Sequence, residues 1–217
     1  STTARELARG VLDVIAAGEL EPDAIEELVH GTTVVINALT ERTGARIALV
    51  TTSGFRDVLE IGRGNRPDMY NLVSRKPPPF VPRRHRFEVR ERVDRHGSVL
   101  VPLDATDAEP IAAACERDGI EAVAVCLLHS YAHPEHEQQA ADYLAERLPG
   151  VSITASSQIT REWREFERSS TVALNAYVQP ILDRYLAELE RRLEDEGSPA
   201  PRFAMLSNGG TATFAAA

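Results

Sequence analysis

The sequence has little cysteine, no long apolar run and none of several motifs that mark common enzyme classes. Its two cysteines, Cys115 and Cys126, are too few for a disulfide framework, which favours a reducing compartment. No run of about 18 apolar residues and no charged-then-apolar leader occurs, so neither a membrane span nor a signal peptide is predicted. A P-loop, a GxGxxG turn after a strand, a GxSxG elbow and an HExxH helix are also absent. We expect a cytoplasmic protein outside these classes.

The composition is that of an ordinary globular protein, with 43% hydrophobic and 26% charged residues. A formal net charge of −9 argues against a nucleic-acid surface, since binding to phosphates relies on clustered Lys and Arg. The basic stretch RKPPPFVPRRHRFEVRER, residues 75–92, is the exception. Its arginines alternate with Glu88 and Glu91, which favours a solvated strand face over an anion-binding surface.

Periodicity predicts an α/β fold. We expect helices at 3–17, 22–29, 34–42, 108–117, 134–148 and over most of 159–196, and a short helix after a cap at Ser53. Buried strands are expected at 45–52, 120–130 and 151–156, a hairpin at 86–104 with its turn at 94–97, and a last strand from 201. The alternation of strand and helix after residue 104 predicts parallel pairing. The pattern changes near residue 157, where we place a domain boundary (1–157 and 158–217).

The HGTT stretch, residues 30–33, is the first candidate site. Gly31 allows close approach of backbone to a ligand or a positive φ. Thr32 or Thr33 at a helix start offers a hydroxyl beside free N–H groups, which suits anions. An ordinary N-cap explains the same residues, and from these four residues alone we favour the cap. His30 is a candidate general acid or base, and Asn37 in the following helix needs a buried partner.

Two further stretches are candidates for binding anions. Residues Ser207, Asn208, Gly209 and Gly210 follow an apolar strand, where ligands often bind in α/β folds, although a plain strand-to-helix turn uses the same residue types. Residues 62–67, GRGNRP, place Arg63, Asn65 and Arg66 beside glycines. They form either a clamp for a carboxylate or phosphate or a charged surface loop.

A histidine group at 129–137 raises the possibility of a metal site. His129, His133 and His136 lie close in sequence to Glu135 and Glu137. The acidic first turn of a helix explains the same residues as a solvated N-terminus, and we favour that interpretation.

Five blocks in order identify the chain with a known family. They are HGTTVVINALTERTGARIALVTTSGFRDVLEIGRGNRPDMYNL, PFVPRRHRFEVRERVDRHGSVLVPLD, GIEAVAVCLLHSYAHPEHE, REFERSSTVALNAYVQP and LSNGG. In this order and spacing they resemble the A-type subunit of the hydantoinase/oxoprolinase family. That family includes ATP-dependent N-methylhydantoinase, 5-oxoprolinase, caprolactamase and the acetone and acetophenone carboxylases.

The resemblance implies an actin-like ATPase fold of the sugar kinase and heat-shock ATPase type, with ATP and Mg between two α/β halves. The A-type subunit is implied to phosphorylate a carbonyl oxygen of a cyclic amide or ketone, and a B-type subunit or domain then completes ring opening or carboxylation. An oligomer containing both parts is therefore expected. Phosphorylation turns an amide oxygen into a good leaving group, and the transfer needs mainly positioning and charge neutralisation.

Site residues carry over by matching motifs. The resemblance implies that His30, Thr32 and Thr33 are catalytic and that Gly31 and residues 207–210 (Ser207, Asn208, Gly209 and Gly210) bind phosphate. It places Asn37, Arg63, Asn65 and Arg66 at the substrate. Ser169, Ser170 and Thr171 are expected to be structural.

The chain also departs from the family pattern. The first phosphate turn with its acidic residue, and the later SGPAGG-type segment, are not in the sequence. We therefore expect a fragment with an incomplete fold that does not hydrolyse ATP alone. A cyclic-amide hydrolase is the leading hypothesis, a ketone carboxylase the second, and a non-catalytic structural or interaction domain the third.

Overall fold

The computed structural model describes residues 9–10, 13–14, 17–18, 25–65, 70–71, 73, 76–195 and 200–216. Within them the helices are α1 (Val34–Thr40), α2 (Val58–Ile61), α3 (Glu109–Asp118), α4 (Glu135–Arg147), α5 (Ser156–Ile159) and α6 (Glu165–Asp195). The strands are β1 (Leu28–His30), β2 (Ile47–Thr52), β3 (Arg86–Val89), β4 (Arg92–Val93), β5 (Val99–Val101), β6 (Ala122–Cys126), β7 (Ser152–Ala155), β8 (Arg202–Met205) and β9 (Thr211–Thr213). Short 3-10 helices cover Arg83–His85, Ala105–Ala108 and Phe214–Ala216. None of the helices in the described ranges is both long and apolar enough to span a membrane.

The chain forms two compact units. The first combines residues 1–44 with 181–217, and the second comprises residues 45–180. These units do not coincide with the division predicted near residue 157. The difference arises because β1 pairs with β8, which joins residues 28–30 and 202–205 in one sheet, and because α6 contributes residues to both units.

The second unit contains a parallel sheet in the order β3-β2-β6-β7. Every residue of β2 and β6 is buried, as expected for parallel strands covered on both faces. Ala48, Val50, Val123 and Val125 are fully buried in a core that α3 and α4 complete. The predicted strands at 45–52, 120–130 and 151–156 and the predicted parallel pairing are confirmed.

Two local predictions in this unit are wrong. Residues 86–89 are not half of a hairpin, because β3 pairs in parallel with β2, and only β4 and β5 form the hairpin, with its turn at 94–97. Ser53 does not cap the next helix, since α2 begins at Val58 with Asp57 at its N-cap position. The hairpin prediction failed because β3 pairs with β2, a strand distant in sequence. The cap prediction failed because turn residues separate Ser53 from the start of α2.

The first unit contains a smaller sheet in the order β1-β8-β9, with β1 parallel and β9 antiparallel to β8. Tyr185, Leu186, Leu189 and Leu193 of α6 pack with Ala204 and Phe214 to form its core. The predicted helix at 22–29 is wrong over its described part, because 28–30 form β1 and 25–27 have no regular structure. Most of the predicted helix at 3–17 lies outside the described residues.

The long predicted helix is confirmed as α6, which begins at Glu165 and contains Pro180. Proline has no N–H group to donate, so one hydrogen bond of the helix interior is missing at this position.

Candidate functional site

His30 ends β1 and begins the HGTT turn. Its ring is buried, and His30 Nε2 lies 2.8 Å from the hydroxyl of Tyr185 on α6. Burial lowers the pKa of His30, which favours the neutral imidazole. Burial also raises the pKa of Tyr185, while a side-chain hydrogen bond from Thr32 acts in the opposite direction. The geometry therefore gives His30 a firm structural contact within the first unit.

The two threonines of the turn have different surroundings. Thr32 Oγ1 accepts a hydrogen bond from the N–H of Val34 at 3.2 Å, so Thr32 stabilises the turn. Thr33 occupies the N-cap position of α1 without a side-chain cap bond, and its hydroxyl is exposed. Thr33 is therefore the threonine whose hydroxyl is accessible to a ligand.

Gly31 and Asn37 differ from expectation. A Cβ atom at Gly31 would meet no atom within 4 Å, and Gly31 is not among the glycines with positive φ. Asn37 is exposed rather than buried, and its Nδ2 donates to Thr33 Oγ1 at 3.4 Å. The prediction of a buried partner for Asn37 is wrong, because the helix face that carries Asn37 points to solvent.

The second glycine turn joins β8 to β9. The N–H of Leu206 donates to the carbonyl of Gly210 at 2.8 Å, and the N–H of Gly209 donates to the carbonyl of Leu206 at 3.0 Å. Gly209 has a φ of +83°, which a residue with a side chain adopts only at a cost. A strand follows this turn, so the alternative of a strand-to-helix turn is wrong.

The structure brings the HGTT turn and the 207–210 turn to one edge of the first-unit sheet. β1 and β8 run in parallel with His30 opposite Ala204, so both strands end at the same edge. Ser207, Asn208 and both glycines are exposed there, as is Thr33. Open parallel strands commonly bind ligands beyond their carboxyl ends.

The Arg-rich loop belongs to the second unit. The guanidinium of Arg63 forms an ion pair with Glu167, and its side chain is 60% exposed. Asn65 is exposed, and both residues line an open pocket of about 370 Å³. Arg66 lies outside the described residues. The loop and the HGTT turn thus belong to different units.

The histidine group does not converge on one point. His136 Nδ1 lies 3.0 Å from a carboxylate oxygen of buried Glu91, and the ring of His129 packs edge-on against Tyr131. His133 lies against Gly97 of the hairpin turn. In the described part of the chain, no group of three or more His, Cys, Asp or Glu side chains is arranged to hold a metal ion.

The solvated interpretation of this segment is also wrong for Glu137. Glu137 is fully buried and accepts hydrogen bonds at both oxygens. The donors are the N–H of Leu127, the hydroxyls of Ser130 and Ser156 and the N–H of Ser157. A buried carboxylate is stable when its lone pairs are filled in this way.

The arginines of the basic stretch are not a uniformly solvated face either. Arg86 is 1% exposed, Glu91 is 3% exposed, and Arg83 pairs with Asp57 on the neighbouring loop. The sequence pattern missed these pairs because their partners lie about 26 or more residues away. It missed Tyr185, the partner of His30, because the two are 155 positions apart.

Two family profiles match the chain. The profile described as "Hydantoinase/oxoprolinase N-terminal region" matches residues 1–148, and the profile described as "Hydantoinase/oxoprolinase" matches residues 168–217.

Curated relatives agree with these profiles. The chain is 33% identical to the caprolactamase subunit alpha of Pseudomonas jessenii, over 85% of this chain and 27% of that protein. It is 33% identical to 5-oxoprolinase 1 of Arabidopsis thaliana, over 89% of this chain and 17% of that protein. It is 31% identical to the acetophenone carboxylase gamma subunit of Aromatoleum aromaticum, over 97% of this chain and 32% of that protein.

The solved structure of ATP-dependent caprolactamase from Pseudomonas jessenii matches with a TM-score of 0.86 and 31% identity, over 95% of this chain and 31% of that chain. The predicted α/β fold of the actin-like ATPase type is confirmed. The chain spans about a third or less of the length of each of these proteins.

Proposed function

This chain belongs to the hydantoinase/oxoprolinase family, and on that premise we propose that it is part of the A-type subunit of an ATP-dependent cyclic-amide hydrolase. In this proposal the whole protein phosphorylates a carbonyl oxygen of the cyclic amide, and a B-type subunit or domain completes ring opening. The relatives named subunit alpha and gamma subunit support a partner. The sequence regions 1–157 and 158–217 are proposed as parts of its two domains, and the cytoplasm as its location.

One observation carries the proposal, namely the shared edge of the HGTT and 207–210 turns. The residues at that edge fit a phosphate group, because exposed hydroxyls of Thr33 and Ser207 and exposed backbone around Gly209 are small, polar and uncharged. Bound ATP would supply the phosphoryl group that is transferred. Thr33, Ser207 and the backbone of the glycine turn would hold and orient the phosphates at this edge.

His30 and Thr32 contribute differently. The neutral ring of His30 is bonded to Tyr185, and Thr32 is bonded to the backbone of Val34. We propose that both residues position the turn so that Thr33 presents its hydroxyl in one orientation. Asn37 donates to that hydroxyl and helps to fix it.

The two turns lack the side chains that bind magnesium in most proteins. Carboxylate oxygens are its usual protein ligands, and no acidic side chain is among the residues of the two turns. The residues of the two turns therefore do not fit a magnesium site. A magnesium requirement stays a prediction for the full-length protein.

A ketone carboxylase is the second candidate. The match to the acetophenone carboxylase gamma subunit extends over 97% of this chain, more than the match to the caprolactamase subunit alpha. The two candidates share carbonyl phosphorylation as the first step, so the second substrate distinguishes them.

The test measures ADP release by the full-length protein with its B-type partner. Hydantoins, 5-oxoproline and lactams are compared with small ketones, each with and without bicarbonate. Cyclic-amide-dependent ADP release that is independent of bicarbonate supports the hydrolase, whereas dependence on both ketone and bicarbonate supports the carboxylase. Absence of nucleotide turnover under all conditions contradicts both and favours a structural or interaction domain.

Variants of α1 test the residue assignment. Thr33→Ala should lower kcat/KM by about tenfold or more, as for loss of one hydrogen bond to a charged group, while stability changes by less than about 0.5 kcal/mol. Thr40→Ala is the matched control, because Thr40 is an exposed threonine at the other end of α1. Equal activity of both variants would contradict the role of Thr33.

A further inference from the structure

Two open pockets adjoin each other in the second unit. The larger, about 580 Å³, is lined by Lys76, Arg83, Arg86, Glu60 and the prolines Pro78, Pro79 and Pro82. The smaller, about 370 Å³, shares Glu60, Lys76 and Pro79 with it. Lys76 is the only lysine in the sequence, and it stands where the two pockets meet. The pockets therefore form one cleft with a cation in its middle.

The charges around the larger pocket do not cancel. Arg83 forms a bidentate pair with Asp57, at 2.8 and 3.0 Å. Arg86 pairs with Glu60 at 2.9 Å. Lys76 Nζ donates to the carbonyl of Ile61 at 2.7 Å, and no carboxylate of the described residues forms an ion pair with it. Among the described residues around this pocket, one positive charge is left over, which attracts an anion.

Arg86 supplies a second, independent feature. Its side chain is 1% exposed, its Nε donates to the carbonyl of Val81 at 3.0 Å, and its Nη2 bonds to Glu60. Its Nη1 is buried and has no hydrogen-bond acceptor among the described residues; Asp57 Oδ1 is 3.8 Å away. Leaving a buried N–H group without an acceptor is unfavourable, so a ligand oxygen beside Arg86 would stabilise this arrangement.

The remaining walls are apolar. Three prolines border the larger pocket, and Leu59, Pro77 and Phe166 border the smaller. Gly62 lines the smaller pocket between Phe166 and Lys76, since a Cβ at Gly62 would lie in ordinary contact with the Phe166 ring at 3.6 Å and with Lys76 Nζ at 3.8 Å. An inorganic anion would leave these walls in contact with water, whereas an anion with an apolar body would cover them.

We propose that this cleft binds a small organic carboxylate. Its carboxylate group lies between Lys76 and Arg86, and its apolar body lies against Phe166 and Pro77. A carboxylate on the substrate and the carboxylate of a separate effector have the same chemistry at this site. Binding here does not require the proposed ATP chemistry, so the two proposals succeed or fail separately.

The test measures direct binding to the full-length protein without nucleotide. Cyclopentanecarboxylate is the probe, cyclopentanecarboxamide is its uncharged match, and inorganic phosphate is the anion without an apolar body. We expect the carboxylate to bind at least about tenfold more tightly than either, since charge-assisted hydrogen bonds and apolar contact both contribute. Binding of the amide or of phosphate as tight as that of the carboxylate overturns the proposal. Absence of carboxylate binding at about 10 mM also overturns it, because even a weak specific site would be largely occupied at that concentration.

Matched variants locate the probe. Lys76→Gln removes the unpaired charge from an exposed position and should weaken carboxylate binding by at least about tenfold. Arg90→Gln removes an exposed charge of the same segment outside the cleft and should change binding by less than about twofold. Unchanged binding to Lys76→Gln, with its unfolding transition intact, contradicts the assignment.

The kinetics of Lys76→Gln distinguish the two sources of carboxylate. If the carboxylate belongs to the substrate, Lys76→Gln raises KM for carboxylate-bearing cyclic amides but not for neutral lactams. If it belongs to an effector, Lys76→Gln weakens binding of the probe and leaves KM unchanged for both kinds of cyclic amide. Either result is consistent with the cleft as a carboxylate site.

Discussion

The contact between His30 and Tyr185 gives the sharpest stability prediction. Both side chains are buried, with 9% and 7% exposed, and a hydrogen bond of 2.8 Å joins His30 Nε2 and the tyrosine hydroxyl. Tyr185→Phe keeps the aromatic ring in the core of the first unit but removes the hydroxyl. The apolar area buried on folding is nearly unchanged, so the hydrophobic contribution cancels in the comparison.

The expected loss of stability comes from the polar group that no longer has a hydrogen-bond partner. A ring nitrogen of His30 loses its partner inside the protein. An unpaired buried polar group costs about 1–3 kcal/mol, so we expect the free energy of unfolding to fall by about 2 kcal/mol. Urea unfolding at pH 8 should show a lower midpoint with an unchanged slope.

Two comparisons test the reasoning. Tyr70→Phe, at a side chain that is 90% exposed, should change the free energy of unfolding by less than about 0.5 kcal/mol. The double variant His30→Leu with Tyr185→Phe should be less destabilised than the sum of the single variants, because no polar group is left unpaired. A Tyr185→Phe midpoint equal to that of the unmodified protein, or strict additivity, would refute the argument.

The same contact predicts a pH dependence. Burial lowers the pKa of His30 below 6.5, so the unfolded chain binds a proton at a higher pH than the folded chain does. The stability contributed by neutral His30 is complete above about pH 6.5 and decreases as the pH falls through that value towards the folded pKa. The difference in unfolding free energy between the unmodified protein and His30→Leu should therefore shrink below pH 6.5.

Three further predictions concern the second unit. Gly97→Ala should lower the free energy of unfolding by about 1–3 kcal/mol, since Gly97 has a φ of +86° and its new Cβ would lie 2.6 Å from the ring of His133. Adding His133→Ala should remove the steric clash and recover the part of the loss that the clash causes. Gly54→Ala is the control for backbone strain, because Gly54 has a φ of +92° and no atom lies within 4 Å of its new Cβ. The thiol of Cys115 should react slowly with iodoacetamide at pH 8 in the native state and quickly in urea, because burial raises the pKa of the thiol to about 11. Equal reaction rates in the two states would contradict the burial of Cys115. Glu137→Gln should lower the unfolding free energy by about 2–3 kcal/mol, because the amide NH₂ would face hydrogen-bond donors; a smaller loss than about 0.5 kcal/mol in urea unfolding would show that the site adapts.

The parallel sheet of the second unit was predictable because each strand carries its own signal. Residues 45–52 and 120–130 are apolar runs bounded by turn residues, and such runs between helices are typical of buried parallel strands. The short strand β1 carries no such signal. Its three residues become a strand only because β8 lies beside them.

Some features of the candidate site were predictable from the local sequence, and others depend on the tertiary structure. The sequence singled out HGTT and residues 207–210 because small hydroxyl residues and glycines after apolar segments are local features. It did not show that Thr32 bonds to the backbone while Thr33 is exposed, or that Asn37 faces solvent. Those facts depend on the orientation of α1.

The sequence by itself determined the α/β class, the family and the residue types available for binding an anion, because these depend on composition, periodicity and the order of motifs along the chain. Only the tertiary structure decided that the HGTT and 207–210 turns share one sheet edge, that His30 bonds to Tyr185, and that Lys76 forms no ion pair with a carboxylate of the described residues. Such pairings join residues that are distant in sequence, and their energies arise from burial and geometry that no local pattern records.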